Sequence, residues 1–226
     1  MLKLVNLNYG YTDGANRRSI LKDCSYTFED GRFYTILGPS GSGKTTLLSI
    51  LAGLDSAESG EVWYNGEQIT ANRLYHYRRN QIGIVFQQYN LINYLTGIEN
   101  VELAMTETDN AVPKNRREIA YALLEKVGIV RSKAERPISK LSGGEQQRIA
   151  IARALAANVD LIFADEPTGN LDTATSHDVM GLLKMVARQF KQTVILITHD
   201  QDIAQMADRI VRIEDGHVVK AGELDD

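Results

Sequence analysis

The stretch FYTILGPSGSGKTTLLSILAGL, residues 33–54, constrains the fold more than any other part of the chain. A short apolar run gives way to a glycine-rich loop and then to a leucine-rich, helix-like segment, which is strand, loop and helix in that order. Gly38 to Thr45 satisfies the G-x-x-x-x-G-K-[ST] pattern in this setting, so the chain is predicted to bind a nucleotide on an α/β scaffold. Glycines 38, 41 and 43 let the backbone, with Pro39 in its turn, curl so that successive N–H groups of Ser40–Thr46 converge on phosphate oxygens. Lys44 would reach the outer phosphates as a point charge, and the Thr45 hydroxyl would ligate Mg²⁺. With Ser40, Ser42 and Thr46 these residues form the candidate phosphate site. No N-K-x-D run occurs, so nothing points to guanine.

Three further apolar runs, IGIVF (82–86), LIFA (161–164) and VILIT (194–198), have the length and branching of buried parallel strands. LIFADEP places Asp165 and Glu166 at a strand tip, where the first can hold Mg²⁺ through water and the second can polarise an attacking water. Two acids after a strand can equally be solvated. The pairing with Lys44 favours chemistry, because the two loops are expected at the carboxyl ends of neighbouring strands, where ligands collect in open α/β sheets. His199 follows the next strand and leaves the same edge, suited to bond a γ-phosphate or orient water. Gln87 is read at the end of IGIVFQ, where its neutral amide can reach Mg²⁺ or the water. It can also cap a turn, and Gln88 beside it competes for the role. His76, His177 and His217 are read as surface residues.

The first 70 residues are predicted to be β-rich: LKLVNLNY alternates, ILKDCSYTF has apolar positions two apart, and Asn65-Gly66 signals a hairpin. Residues 88–158 change character to helix. Within them RREIAYALLEKVGI places Ile119, Leu123 and Val127 on one face, with Ala120 and Leu124 beside it and Gly128 as the stop. In DVMGLLKMVARQF the stripe is Val179, Leu182, Leu183, Val186 and Phe190. The expected organisation is one domain over 1–226, with a core lobe of about 1–87 and 158–226 and a helical lobe of about 88–157. Cys24 is the only cysteine, which excludes an intrachain disulfide and a cysteine-rich metal site. A net charge of −4 without a long basic run argues against nucleic acid as a partner, and the pairs Arg78–Arg79 and Arg116–Arg117 read as solvated faces. No window approaches the ~18 apolar residues of a membrane span, so a soluble chain is expected, acting on a membrane only through a partner.

A second glycine-rich loop opens KLSGGEQQRIAIARAL, residues 140–155. Ser142 and Glu145 fit the S-x-x-E capping box, which needs no ligand. Two consecutive glycines, Gly143 and Gly144, are not required by a cap and cost helix stability. They leave the backbone bare to a close, anionic neighbour.

LSGGEQQR resembles the signature of the ATP-binding cassette (ABC) proteins. Together with GPSGSGKTT, Gln87, FADEP, GNLD at 169–172 and His199, it reproduces that family's elements in their usual order across essentially the whole chain. The resemblance implies a P-loop NTPase (RecA-like) α/β core with an N-terminal antiparallel β subdomain and an inserted helical subdomain. It implies an ATPase using ATP and Mg²⁺, in which two copies pair head to tail. Each ATP then lies between the phosphate loop of one copy and the signature of the other. By the same resemblance Ser142, Gly143 and Gly144 bind ATP in trans, and Asp172 lies at the dimer seam. Tyr11 would stack on adenine, with Tyr9 as the alternative; Glu166, His199 and Gln87 would be catalytic; Thr45, Gln87 and Asp165 would hold Mg²⁺. A glutamate at 145 departs from the commoner glutamine of the signature. The segment 87–103 with ADEPTGNLD most resembles the branch serving lipoprotein release, macrolide or peptide efflux and antimicrobial-peptide resistance, although Asn93 and Tyr94 depart from its proline-containing form. The implied partner is a transmembrane permease on another chain, with the ATPase peripheral on the cytoplasmic face. A regulatory cassette acting on a cell-envelope complex without transport, and a soluble non-transport ATPase, are the alternatives.

Overall fold

A computed structural model describes residues 1–13, 16–111 and 113–223. The order is β1 (Leu2–Asp13), β2 (Asn16–Phe28), β3 (Phe33–Leu37), α1 (Lys44–Leu51), β4 (Ser59–Tyr64), β5 (Glu67–Gln68), α2 (Leu74–Asn80) and β6 (Ile82–Val85). There follow α3 (Gly97–Glu107), α4 (Arg116–Lys126), α5 (Arg131–Ala134), a 3₁₀ turn at Ile138–Lys140 and α6 (Gly143–Ala156). The chain closes with β7 (Leu161–Asp165), α7 (Thr173–Phe190), β8 (Thr193–Thr198), α8 (Gln201–Ala204), β9 (Arg209–Glu214) and β10 (His217–Glu223).

Two sheets result. The N-terminal one is antiparallel in the order β2-β1-β4-β5, and the Asn65-Gly66 turn falls between β4 and β5 as expected. The second has the order β10-β9-β3-β8-β7-β6, with β9 through β6 parallel and β10 antiparallel at one edge. Alternate residues of its strands feed two apolar clusters. Phe33, Val85, Ile162, Ala164, Val194 and Leu196 face the helices α3, α4, α6 and α7. Tyr34, Ile36, Leu161, Phe163, Ile195 and Ile197 face α1 and the antiparallel sheet. Burial on both faces is why these strands read as continuous apolar runs rather than alternating ones.

The order corrects one expectation. The strands carrying the phosphate loop and Asp165 are not neighbours, because β8 lies between β3 and β7, pairing Tyr34 with Ile195 and Ile162 with Val194. All six residues of β8 are buried, and a strand with no face suited to water belongs in the middle of the sheet. His199 therefore leaves the central strand, between the two loops. The C-terminal hairpin β9-β10 turns at Asp215-Gly216, both at positive φ, which was a legible hairpin signal that the sequence reading did not use.

In α4 the buried side is Ala120, Tyr121 and Leu124, with Val127 just beyond, whereas Ile119 and Leu123 are only partly buried beside it. The expected face is rotated because Tyr121 turns inward. Gly128, at φ 81°, stops the helix as predicted. Phe190 sits at the rim of the α7 stripe, with Lys126 Nζ 4.7 Å from its ring centroid. The arginine pairs are not simply solvated. Arg79 pairs with Asp109 and stacks on Tyr75, while Arg117 bridges Glu102 of α3 to Glu135.

Candidate active site

The phosphate loop leaves β3 at Gly38 and enters α1 at Lys44, with Gly41 and Gly43 at φ 78° and 99°. Gly38 is needed for a close approach, since a Cβ there would lie 2.4 Å from the Ile213 carbonyl oxygen. Lys44 is buried, and its ammonium donates to the carbonyls of Gly38 and Pro39 at 2.9 Å each. Burial pushes the ammonium below the usual lysine range, while the Glu166 and Asp165 carboxylates act in the opposite direction. Ser42 is buried against Gly38, and its Oγ has no hydrogen-bond partner among the described residues.

A cleft of about 310 Å³ is lined by Tyr11, Arg18, Ile20, Ser40, Gly41, Gly43, Lys44, Thr45, Thr46 and Glu166. The fold thus brings Tyr11 to the phosphate loop, whereas Tyr9 donates its hydroxyl proton to Asp55 at 2.8 Å. Arg18 was missed in the sequence. It lies directly across the β1–β2 ladder from Tyr11, and the exposed Arg17-Arg18 pair was its only local signal.

Asp165 ends β7, and Glu166 follows in a left-handed conformation at φ 40°, its N–H bonded to the Ile197 carbonyl of β8 at 3.1 Å. A non-glycine residue held there carries strain of about 1–3 kcal/mol, which the surrounding sheet must impose. The result aims the carboxylate at His199, whose Nδ1 lies 3.1 Å from Glu166 Oε1. A second cleft of about 280 Å³ lies beside this pair, lined among others by His177, Asp200 and Asp202. His177 is exposed as expected, yet it faces the same cleft as Glu166 and His199.

Burial, and then the nearby Glu166 carboxylate, raise the Asp165 carboxyl above its ordinary range, with Lys44 opposing. A folded-state value above the unfolded one gives stability present below the unfolded pKa and lost as pH rises through the folded pKa. Asp165→Asn should therefore raise the melting temperature of the nucleotide-free protein near neutral pH. The gain is expected to be under about 1 kcal/mol, because a half-exposed carboxylate is screened. The gap between variant and parent should widen from about pH 4 to pH 7 in thermal melts.

Gln87 lies in a turn two residues beyond β6 rather than at the strand end, because β6 stops at Val85. Its side-chain amide is pressed against Gly169, where a Cβ would approach Nε2 to 2.6 Å, and the main-chain carbonyl of Gln87 accepts from Asn170 Nδ2 at 3.1 Å. The structure thus brings Gln87 to the GNLD segment, and among the described residues lining the Lys44 cleft it does not appear. Asp172 caps α7, accepting from the Thr175 N–H at 3.0 Å and from the Thr175 hydroxyl at 2.6 Å. These bonds hold its carboxyl below the usual range.

Ser142 and Glu145 form the reciprocal cap of α6, with Glu145 N–H donating to Ser142 Oγ and Ser142 N–H to Glu145 Oε2. The adjoining glycines have a reason inside the chain. A Cβ at Gly143 would meet the Tyr89 hydroxyl at 2.7 Å, and one at Gly144 would meet Thr175 Cγ2 at 2.6 Å. Gly144→Ala is expected to cost about 1–3 kcal/mol in urea unfolding by overpacking. Adding Thr175→Ser, which removes the offending methyl and keeps the hydroxyl for Asp172, should recover most of that loss. Ser142, Gly143 and Gly144 are not among the described residues lining the Lys44 cleft, so within one copy the second glycine-rich loop forms no part of that cleft.

Residues 21–169 match the family model described as ABC transporter. The chain is 40% identical over 216 residues to the uncharacterised ABC transporter ATP-binding protein YclH of Bacillus subtilis, covering 96% of this chain and 94% of that one. It is 41% identical over 222 residues to the macrolide export ATP-binding/permease protein MacB of Neisseria meningitidis serogroup B, covering 97% of this chain and 34% of MacB. Among solved structures, the dimeric post-hydrolysis state of the ATP-binding cassette MJ0796, bound to ADP and Pi, superposes with a TM-score of 0.89 at 39% identity. That match covers 100% of both chains, and MJ0796 is a protein of Methanocaldococcus jannaschii.

Proposed function

The chain belongs to the ABC transporter family as an ATP-binding, ATP-hydrolysing subunit, and from that premise we propose that two copies close head to tail on two ATP molecules to drive a separate membrane permease. The observation that carries this reading is the separation of the loops. A chain with a phosphate cradle at Lys44 and a second glycine-rich loop at Ser142 that does not line it can use both on one triphosphate only if a second copy supplies the second loop. The MJ0796 cassette, dimeric and bound to ADP and Pi, supports a dimer that holds nucleotide.

Within one site Tyr11 stacks on adenine, and the Pro39–Thr46 backbone with Lys44 receives the phosphates. Glu166 accepts the proton of the attacking water, and His199, already 3.1 Å from the carboxylate, holds that carboxylate and the water in line. Ser142, Gly143 and Gly144 of the other copy stabilise the transferring phosphoryl group, while Asp172 and the Gln87–Gly169 contact join the two sites at the seam.

The donor set suits Mg²⁺. Asp165 is a carboxylate raised by burial and by its acidic neighbour, and a divalent cation relieves both. The Thr45 hydroxyl lines the cleft. Among the described residues no group of three or more His, Cys, Asp or Glu side chains forms a metal cage, and Mg²⁺ commonly relies on one or two side chains with substrate phosphates. Thr45, Asp165 and Gln87 would hold the ion, which when bound neutralises charge on the phosphates.

Closure is favoured by ATP because each γ-phosphate adds contacts available only in the closed state. The core lobe (about 1–87 and 158–226) and the helical lobe (about 88–157) are the moving parts, the latter carrying the signature. Among the described residues no helix is long and apolar enough to cross a membrane. In this reading the permease is a partner reached through 87–103 from the cytoplasmic face; the branch is efflux, peptide-resistance or lipoprotein-extraction, and the likeness to a macrolide export protein supports its efflux side. The test is to tag Glu166→Gln, load it with ATP in its native cells and identify what co-purifies from detergent-solubilised membranes. A permease with a large extracytoplasmic domain is expected; recovery of ribosomes or no membrane protein would overturn the transporter reading.

A further inference from the structure

The glutamate at 145 is a problem for any phosphate that approaches the start of α6. Its Oε2 accepts the Ser142 N–H at 2.8 Å, so the carboxylate is fixed beside the serine expected to receive a γ-phosphate. Glutamine would make the same bond without the charge. The structure supplies a countercharge: Lys133 of α5 forms an ion pair with Glu145 Oε1. Lys133, first, and the Ser142 N–H, second, hold the Glu145 carboxyl below its usual range, so it stays ionised and paired. The lysine comes from a fixed base. Its neighbour Ala134 is fully buried, and the turn just after α5 is tied to α3 by the bond from Gly97 N–H to the Arg136 carbonyl at 3.2 Å.

We propose that Lys133 is a positioning residue for the ATP held by the opposite copy, cancelling the charge of Glu145 so that the triphosphate can reach Ser142. This rests on the head-to-tail dimer. The cap keeps its return bond through the glutamate, and Lys133 removes the electrostatic penalty that this choice creates. Where glutamine occupies position 145, Lys133 has no such task, and that dependence makes the idea testable.

The experiment uses full-length Glu166→Gln protein, with ATP as the probe and light scattering on a sizing column to find the ATP concentration giving half dimer. Lys133→Met should raise that concentration about fivefold at low salt, as expected for an uncompensated charge some ångströms from a phosphate, and less at high salt. Adding Glu145→Gln to Lys133→Met should bring it back to within about twofold of the parent, whereas a merely structural role for Lys133 would leave the double variant as weak as the single. Lys133→Arg should behave as the parent. An unchanged half-point in Lys133→Met, or no recovery in the double variant, would overturn the proposal while leaving the dimer intact. A parent that does not dimerise with ATP at all would overturn the head-to-tail reading, and this inference with it.

Discussion

Glu166→Gln should lower ATP turnover by about 10²–10⁴-fold while leaving ATP affinity within about twofold of the parent, and ATP should then accumulate a stable dimer. The expectation follows from where Glu166 sits. Its backbone at φ 40° is imposed by the bond to Ile197 of the neighbouring strand, and glutamine has the same steric needs, so the loop keeps its course. The side chain retains a polar partner for His199 at the same reach. What disappears is the capacity to take a proton from water. Glu166 is one of ten described residues lining the cleft, with Tyr11, Lys44 and Thr45 among the others, so binding should survive. Single-turnover hydrolysis separates the outcomes: a rate within a few-fold of the parent would remove Glu166 as the base. Loss of ATP binding in equilibrium titration would instead place it among the binding groups.

The parts of the site legible in the sequence were those whose chemistry is local. GPSGSGKT encodes its own turn, because three glycines and a helix start are written within eight residues, and Ser142 with Glu145 encodes its own cap. What escaped depends on the packing of distant segments. The order β3-β8-β7 belongs to the sheet as a whole, and three similar apolar runs, all buried or nearly so, do not say which lies in the middle. Bare backbone at Gly143 and Gly144 suggested an anion, yet a Tyr89 hydroxyl and a Thr175 methyl already press there. The glycines therefore satisfy an intrachain fit as well as any ligand. Tyr9 and Tyr11 are two residues apart on the same strand, and only the contact with Asp55 and the lining of the cleft separate them. Lys133 had no signal at all, since its partner is 12 residues away on another helix.

Lys44→Ala should weaken ATP binding by at least about 100-fold, the loss of charge-assisted bonds to phosphate in a desolvated pocket. The structure shows how the loop manages this charge. The ammonium is buried, which disfavours its protonated form, and two carbonyls at 2.9 Å with the Glu166 and Asp165 carboxylates offset that cost. A triphosphate brings far more negative charge than those groups, so the ammonium gains most when ATP arrives. Removing it leaves the Gly38 and Pro39 carbonyls without their donor but also removes a desolvated cation, and these opposing effects should keep the melting temperature within a few degrees of the parent. Lys44→Arg is the sharper variant. It keeps the charge, but the broad guanidinium does not fit between two carbonyls that hold a single nitrogen, so binding should still fall by about tenfold or more. Fluorescent-nucleotide titration reads both. Normal affinity in Lys44→Ala, with the protein folded by thermal melt, would mean that the glycine-rich loop is not where the phosphates bind.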